Sequence, residues 1–337
     1  MIAGLGFSRR SMMKAGAAVA AGLGAAVTSR FDMAQAASSG ETGAAKAPEG
    51  SPMPAWSRVK LGDALITTVL DGTRAGDGPY PTFGADQSQE AVAALMRENH
   101  LPENRFVNMF NPVLIEMGGE LILVDTGMGA GARGNGMGFL TERMKEAGYK
   151  PDDVSLVILT HFHGDHIGGL MEDGKPAFAN ARYVAGAKEY EWWTSDEARS
   201  GDRAKNAEMV EKNVVPFKDK MTMVKEGDQV IEGITAHEAF GHTPGHMIFA
   251  VQSGGKKLWL TGDTANHFVA SLQRPDWSVS FDQDKAMAKE TRRRVFDMIA
   301  EERSPFIGYH MPFPALGYVM KMGEGYHYMP HTYQLLV

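Results

Sequence analysis

The chain has 337 residues, of which 43% are hydrophobic and 22% are charged. These are ordinary values for a soluble globular enzyme, and they exclude a disordered, collagen-like or multi-spanning membrane protein. The formal net charge is −7, and an acidic chain does not neutralise phosphates, so nucleic-acid binding is excluded as well. Cysteine is absent, which rules out disulfides, thiolate metal ligands and a cysteine nucleophile.

Residues 1–37 are predicted to be a cleaved export signal. Arg9 and Arg10 precede a run of Ala, Gly and Val at 15–27, and a small-x-small cleavage site follows at 34–36. The run is shorter than the roughly 20 residues of a membrane-spanning helix, so no stable membrane anchor is expected. The paired arginines resemble a twin-arginine signal, and an ordinary secretory signal is the alternative. Either one predicts a periplasmic or secreted protein.

The folded domain is predicted to cover residues 56–337, after a flexible leader at 38–55 that is rich in Ser, Gly, Ala and Pro. Short β-type runs alternate with helical patterns, which predicts a single layered α/β domain. Gly118-Gly119 and Ser253-Gly254-Gly255 each predict a hairpin turn. Strands are predicted at 64–70, 112–117, 120–124, 154–159, 182–185, 247–252, 256–260 and 306–309. Helices are predicted at 137–147, between the strand at 182–185 and residue 193, and at 285–302.

The segment 160–166 reads Thr-His-Phe-His-Gly-Asp-His and directly follows the apolar strand predicted at 154–159. In an extended stretch, residues two apart point the same way, so His161 and His163 converge on one position. The chain then turns, and Asp165 and His166 project toward a second position. Imidazole nitrogens and carboxylate oxygens are ligands that zinc and similar divalent ions select.

Four such side chains do not complete two sites, so further donors are expected downstream. His242, Asp263 and His310 are the best candidates, because each lies near the end of a predicted strand and is flanked by Gly or Pro. Strand ends of this kind are where a rigid scaffold presents functional side chains.

This pattern resembles the metallo-β-lactamase superfamily, from about residue 57 to the C-terminus. Gly-Leu-Met at 169–171, Phe-Ala-Asn-Ala at 178–181 and Gly-His-Thr-Pro-Gly-His at 241–246 look most like its methyl parathion hydrolase and lactonase branch. The resemblance implies an αββα sandwich and two divalent metal ions, with zinc expected. It implies one ion held by His161, His163 and His242, another held by Asp165, His166 and His310, and Asp263 bridging the two.

Further residues are assigned to supporting roles around the metals. Asp125 matches a position of the family and is expected to support the site rather than bind metal. His237 and His246 are interpreted as partners that orient ligands or loops, with simple packing as the alternative.

Direct attack by metal-bound hydroxide is expected, without a covalent enzyme intermediate. Asp263 would bridge the ions and Asp165 would guide the proton, so these two are the candidate catalytic residues. Trp193, His267, Phe268 and Phe313 are the candidates for an apolar substrate pocket.

The expected function is hydrolysis of lactone or ester bonds in apolar small molecules, with acyl-homoserine lactones as the leading example. A phosphotriesterase, a glyoxalase II-like thioesterase and a non-catalytic metal-binding protein are the alternatives. Residues 127–138 are unusually rich in glycine where organophosphate-degrading members are bulkier, which argues against efficient triester hydrolysis and predicts a wider or more mobile entrance. A homodimer is allowed by the resemblance.

Overall fold

The computed structural model describes residues 54–332. The predicted export signal at 1–37 lies outside the described residues, as does the predicted leader as far as residue 53. Within the described part of the chain, no helix is long and apolar enough to cross a membrane.

The first half of the described chain consists mostly of strands. Its elements are β1 (Trp56–Leu61), β2 (Ala64–Val69), β3 (Gly72–Asp77), α1 (Gln89–Glu98), β4 (Arg105–Phe110), β5 (Val113–Met117), β6 (Glu120–Val124), α2 (Leu140–Glu146), β7 (Leu156–Leu159), α3 (Gly164–Ile167), β8 (Met171–Glu172), β9 (Lys175–Pro176) and β10 (Arg182–Gly186).

Three helices lead into the second half, which again alternates strands with helices. Its elements are α4 (Ala187–Trp193), α5 (Asp196–Ser200), α6 (Ala204–Asn213), β11 (Met221–Val224), β12 (Gln229–Ile231), β13 (Ile234–Glu238), β14 (Met247–Ser253), β15 (Lys256–Leu260), α7 (Ala270–Gln273), α8 (Lys285–Glu302), β16 (Phe306–Ile307), β17 (Leu316–Met322) and β18 (Gly325–Pro330).

The strands form two seven-stranded sheets, with orders β1-β2-β5-β6-β7-β10-β11 and β12-β13-β14-β15-β16-β17-β18. The strands that lead into the candidate site run parallel to a neighbour. In the first sheet β7 is parallel to β6 and β10, and in the second β15 is parallel to β16. Their carboxyl ends therefore meet at one edge of the molecule, where the loops after them lie.

Two hydrophobic layers hold the sheets and helices together. One cluster joins the inner faces of both sheets with α8, for example Ile158 with Phe249 and Phe296. A second cluster packs α2, α4 and α6 on the outer face of the first sheet, for example Leu159 with Trp193. The layer order is helix, sheet, sheet, helix, which confirms the αββα prediction.

Strand β7 shows why this stretch reads as continuously apolar. Leu156 and Ile158 belong to the inner cluster, whereas Val157 and Leu159 belong to the outer one. Since successive side chains of a strand point to opposite faces, a strand covered on both faces needs apolar residues at every position.

Most predicted elements are confirmed, and the C-terminal prediction is wrong. The helix at 285–302 begins as its N-cap requires, because the side chain of Asp284 accepts a hydrogen bond from the Met287 amide. The strand predicted at 306–309 ends at Ile307 and is not the closing strand. A hairpin of β17 and β18 follows it, and its exposed Met320 and Met322 hide the usual alternation.

The two ends of the glycine-rich segment are tied down, which limits the expected mobility of the entrance to the middle of the segment. The buried carboxylate of Asp71 accepts hydrogen bonds from the amides of Met128, Gly138 and Leu140, at 3.1, 2.9 and 3.0 Å. A Cβ atom on Gly138 would lie 2.0 Å from the carbonyl oxygen of Gly129. Glycine is therefore used here for close backbone packing rather than for mobility.

Candidate metal centre

The predicted ligands converge at the edge where the parallel strands end. Their side chains form two groups, each with candidate ligand atoms within 4.8 Å of one another, and Asp263 belongs to both. The first group is His161, His163, His242 and Asp263, and the second is Asp165, His166, Asp263 and His310.

In the first group, nitrogen atoms of three histidines face one another. His163 Nδ1 lies 3.0 Å from His161 Nε2 and 2.9 Å from His242 Nε2. Asp263 Oδ2 lies 3.2 Å from His242 Nε2. These distances place four polar atoms around one small volume.

The second group contains two carboxylates and two histidines. His166 Nε2 lies 3.5 Å from Asp165 Oδ2 and 3.3 Å from Asp263 Oδ1. His310 Nε2 lies 3.4 Å from Asp165 Oδ2 and 3.1 Å from Asp263 Oδ2. Asp263 therefore has contacts on both sides through its two oxygens.

Hydrogen bonds on the far side of the rings fix the tautomers of the first group. His242 Nδ1 donates to Asp282 Oδ1 at 3.0 Å, and His161 Nδ1 donates to Thr160 Oγ1 at 3.1 Å, since that hydroxyl itself donates to Asp125. When these two rings are neutral, as metal binding requires, their Nε2 atoms therefore present lone pairs. Both face His163 Nδ1, which has at most one proton to share.

The second group is arranged in the same way. His166 Nδ1 donates to Asp125 Oδ2 at 2.8 Å, and His310 Nδ1 donates to the Met109 carbonyl at 2.9 Å. Within the described residues, His166 Nε2 and Asp263 Oδ1 are buried and have no hydrogen-bond partner. A cation between them would satisfy both atoms, so the residues fit a bound metal.

The charges also call for cations. Asp125, Asp263 and Asp282 are at most 2% exposed, and the buried Arg292 donates to Asp282 Oδ2 at 2.8 Å. Burial opposes protonation of His242, but its hydrogen bonds to Asp263 and Asp282 outweigh burial and raise its pKa to about 9. When no cation is bound, protonated histidines thus balance the negative charge of the carboxylates. Two divalent metal ions would balance the same charge, one in each group.

Glu189 holds two of the ligand loops together, and no sequence pattern pointed to it. Its buried carboxylate accepts from the amides of Phe162 and Gly245, at 2.8 and 3.0 Å, and from the hydroxyl of Thr243 and the indole of Trp193, both at 2.7 Å. Phe162 lies between two ligands of the first loop, and Thr243 follows the ligand His242. Burial raises the pKa of Glu189, and the four hydrogen bonds only partly offset this rise.

This arrangement corrects the assignment of Trp193 to the substrate pocket. The indole is fully buried in the outer cluster and bonded to Glu189. Trp193 therefore supports the ligand loops, because the face of α4 that carries Trp193 packs against the first sheet.

The predicted supporting residues differ in position. Asp125 bonds to His166, as described above, and His246 Nε2 accepts from the Asp263 amide at 3.0 Å. The interpretation of His237 as a ligand partner is wrong. Its Nδ1 lies 2.8 Å from Glu226 Oε1 and its ring packs on Trp259, because the strand register turns it away from the ligands.

Two further residues steady the ligands. Asn266 Nδ2 donates to Asp263 Oδ2 at 2.9 Å. The hydroxyl of Tyr309 donates to the Asp165 carbonyl at 2.5 Å, and its ring lies 3.9 Å, between centroids, from that of His166. Tyr309 immediately precedes the ligand His310, which is the one sequence signal that singles it out.

Two cavities adjoin the ligands. One, of about 530 Å³, contains the polar walls Arg74, Asn108, Arg203 and Asn206 together with His163, Asp165, His242, Asp263 and His310. The other, of about 430 Å³, is largely apolar and includes Met96, Leu101, Val107, Phe268 and Pro312. Phe106 and His310 line both cavities, so the apolar one begins beside the second ligand group.

The remaining pocket predictions can now be placed. His267 and Phe268 line the apolar cavity. Phe313 lines neither of the two cavities; its amide lies 3.1 Å from the sulfur of Met109, which is itself in the apolar wall. The chain turns away after Pro312, and this removes the Phe313 ring from the position that its closeness in sequence suggested.

Comparison with known proteins supports this description. The profile of the metallo-beta-lactamase superfamily matches residues 108–304. An N-acyl homoserine lactonase from Bacillus cereus is 26% identical over 201 residues, covering 54% of this chain and 73% of the relative. An N-acyl homoserine lactonase from Bacillus thuringiensis is 28% identical over the same shares.

Solved structures match over a larger part of the chain. A structure of AidC, described as a dizinc quorum-quenching lactonase with a bound product, has a TM-score of 0.78 and 24% identity, covering 82% of this chain and 98% of AidC. A structure of AbOPH, described as a hydrolase in the beta lactamase superfamily, has a TM-score of 0.77 and 27% identity, covering 83% and 99%. With its paired ligand groups, the protein is a lactonase-like metal-dependent hydrolase, and the chain belongs to the metallo-beta-lactamase superfamily.

Proposed function

We propose that the protein opens the lactone ring of N-acyl homoserine lactones by hydrolysis, with zinc as the metal. The observation that carries this proposal is the position of His310, which is a ligand of the second group and also part of the wall of both cavities. A lactone ring at the ligands can therefore extend an acyl chain into the apolar cavity. Relatives described as N-acyl homoserine lactonases support the same substrate class.

Asp263 is the residue that would hold the two metal ions in a fixed relation. Two bound divalent ions would polarise the lactone carbonyl and make a water molecule acidic enough to attack at neutral pH. Asp263 keeps the two groups in a fixed relation, because its carboxylate contacts His242 of the first group and His166 and His310 of the second. Its amide is held by His246. Such preorganisation removes the cost of rearranging charges during the reaction.

Asp165 is the more exposed of the two candidate ligand carboxylates that line the polar cavity. Its side chain is 20% exposed, compared with 3% for Asp263. Its Oδ2 is directed at His166 and His310. We assign to the carboxylate of Asp165 the acceptance of the proton that the attacking water loses.

The shape of the apolar cavity favours an acylated lactone over the alternatives. Its volume of about 430 Å³ suits a medium-length alkyl chain, and its walls offer few polar groups. A small triester or a simple lactone would leave this space unused. A substrate with one polar reacting end and one apolar end uses both cavities.

The proposal is tested by acid release in a pH-stat with purified, zinc-loaded protein. N-hexanoyl-homoserine lactone, γ-decalactone, p-nitrophenyl acetate and paraoxon form the panel, with the Asp263→Asn variant as control. We expect the acyl lactone to have the highest kcat/KM and the variant to be inactive. A preference for paraoxon would instead favour a phosphotriesterase, and silence on all four substrates by protein with two bound metals would overturn the proposal.

We also propose that the protein acts after export, on the basis of residues 1–37. Replacement of Arg9 and Arg10 by lysine should retain the protein in the cytoplasm if a twin-arginine pathway carries it. Cell fractionation of the tagged protein measures this, and unchanged export would favour the ordinary secretory pathway.

A further inference from the structure

His267 caps the short helix α7 with its ring. Its Nδ1 atom accepts hydrogen bonds from the amides of Val269 and Ala270, at 3.1 and 3.0 Å. These amides belong to Val269, the N-cap of α7, and to Ala270, its first residue, so the ring satisfies two backbone donors at the start of the helix. The ring is therefore held in one orientation by the backbone.

The cap also fixes which nitrogen carries the proton. A ring nitrogen that accepts two amide hydrogens has no hydrogen of its own, so the proton of the neutral ring is on Nε2. Burial lowers the pKa of His267 to about 4, so the ring is neutral at ordinary pH. Nε2–H is consequently a permanent donor.

His267, which carries this donor, lines the apolar cavity, and its Nε2 is not among the fully buried atoms that lack a hydrogen-bond partner. The ring stacks on Phe268 at 5.2 Å between centroids and meets the edge of Phe83 at 5.1 Å. No residue in the described part of the chain forms a hydrogen bond with Nε2. A polar hydrogen in such surroundings needs an acceptor from a ligand or from water.

The other polar side chains of this cavity are less suited to the task. His310 and Asn266 are occupied by their contacts with Asp263. Arg105 is exposed on β4, so its guanidinium remains in contact with solvent. His267 is thus the rigid, neutral donor in the apolar wall, which it shares with the ligand His310.

We propose that His267 Nε2–H donates a hydrogen bond to the acyl amide oxygen of the substrate and thereby selects acylated lactones over plain alkyl lactones. The inference rests on the proposed function. In an N-acyl homoserine lactone, the amide lies between the ring and the alkyl chain. With the ring at the ligands, the amide enters the apolar cavity first.

The test compares two substrates in a variant that removes the imidazole Nε2–H and keeps the cap. The amide donor of asparagine is on a shorter side chain and lies closer to the backbone than Nε2 of histidine. In His267→Asn, the side-chain oxygen can still accept from the two amides, because asparagine is a preferred N-cap residue. We expect kcat/KM for N-hexanoyl-homoserine lactone to fall about 10- to 100-fold, mainly through KM. γ-Decalactone has no amide, so its kcat/KM should change by less than about twofold. If it binds without being opened, its inhibition constant should change by less than the same factor.

The Phe268→Leu variant is the matched control, because it alters the same wall without touching the donor. Phe268→Leu should lower kcat/KM for both substrates by similar factors. Equal losses on both substrates in His267→Asn, or no loss on the acyl lactone, would overturn the inference while leaving the proposed function in place. If the wild-type protein opens neither lactone, the proposed function fails and the inference fails with it.

Discussion

The two ligand groups share Asp263 but are supported in different ways. The first consists of three histidines and Asp263, and its loops are bound together by the buried Glu189. The second has the more exposed carboxylate of Asp165, and its His310 is oriented by a backbone carbonyl. Both groups border the polar cavity, but only the second group, through His310, also borders the apolar cavity.

Neutralising the shared carboxylate should weaken both groups at once and should therefore have the largest effect on activity. In Asp263→Asn, both groups lose a negative ligand, and we expect kcat/KM to fall by about a thousandfold or more. Metal analysis after gel filtration should give fewer than two equivalents per chain. Two retained equivalents with near-normal activity would contradict the assignment of Asp263 to both groups.

Two supporting carboxylates offer a way to weaken one group alone or both groups together. Asp282→Asn acts on His242 of the first group only. Asp125→Asn acts directly on His166 of the second group, and it also acts on the first group because Asp125 accepts from the Thr160 hydroxyl that bonds to His161. Asp282→Asn should lower the affinity for one of the two metal equivalents by about 10- to 100-fold, and Asp125→Asn should lower the affinity for both, as measured by competition with a chelator. His237→Ala, which alters a histidine bonded to Glu226, should change neither equivalent.

Glu189→Gln tests whether the first group depends on its joined loops. The amide group of glutamine places donors where the loop donors point, so unfolding free energy should fall by about 2 kcal/mol. Denaturant melts measure this, with Glu191→Gln as the exposed control on the same helix. If Glu189→Gln retains wild-type stability and first-group affinity, then the loops are held by other contacts.

Metal removal should expose a pH dependence that the bound ions hide. In the cation-free protein the pKa of His242 is raised to about 9 and that of His310 to about 10, chiefly because Asp263 and neighbouring carboxylates outweigh burial. Protonation of these rings stabilises the cation-free fold fully below the unfolded pKa of about 6.5, and this stability is lost as pH rises through 9 to 10. The difference in Tm between metal-loaded and chelated protein should therefore widen from pH 6.5 to 9.5. A constant difference would contradict the prediction.

The ligands could be predicted from sequence because local rules determine their neighbourhoods. His161, His163, Asp165 and His166 follow a strand that is apolar at every position, and the hairpin glycines define the strands around it. The candidates could be chosen because they lie near predicted strand ends, and parallel strands end at one edge of a sheet. Their division into two groups came from the resemblance to the metallo-β-lactamase superfamily.

Asp125 and His246 were predicted as supporting residues, but Glu189 and Asp282 were not, because no motif surrounds them and their partners are distant in sequence. Glu189 bonds to Thr243 and Gly245, and Asp282 bonds to His242, across 40 to 56 residues. Without the fold, Glu189 is only an acidic residue on an aromatic helix. The misplacement of Trp193 has the same origin, since the direction of a helix face depends on what packs against it.

The glycine-rich segment after β6 has fixed ends and a free middle. A Cβ atom on Gly129 or Gly138 would lie 2.2 or 2.0 Å from a carbonyl oxygen, whereas Gly131 and Gly134 have no atom within 4 Å of that position. Met128, at the start of the segment, already borders the polar cavity. The protein therefore has two replaceable positions on a rigid frame beside its entrance, where laboratory evolution can introduce larger side chains without disturbing the ligands.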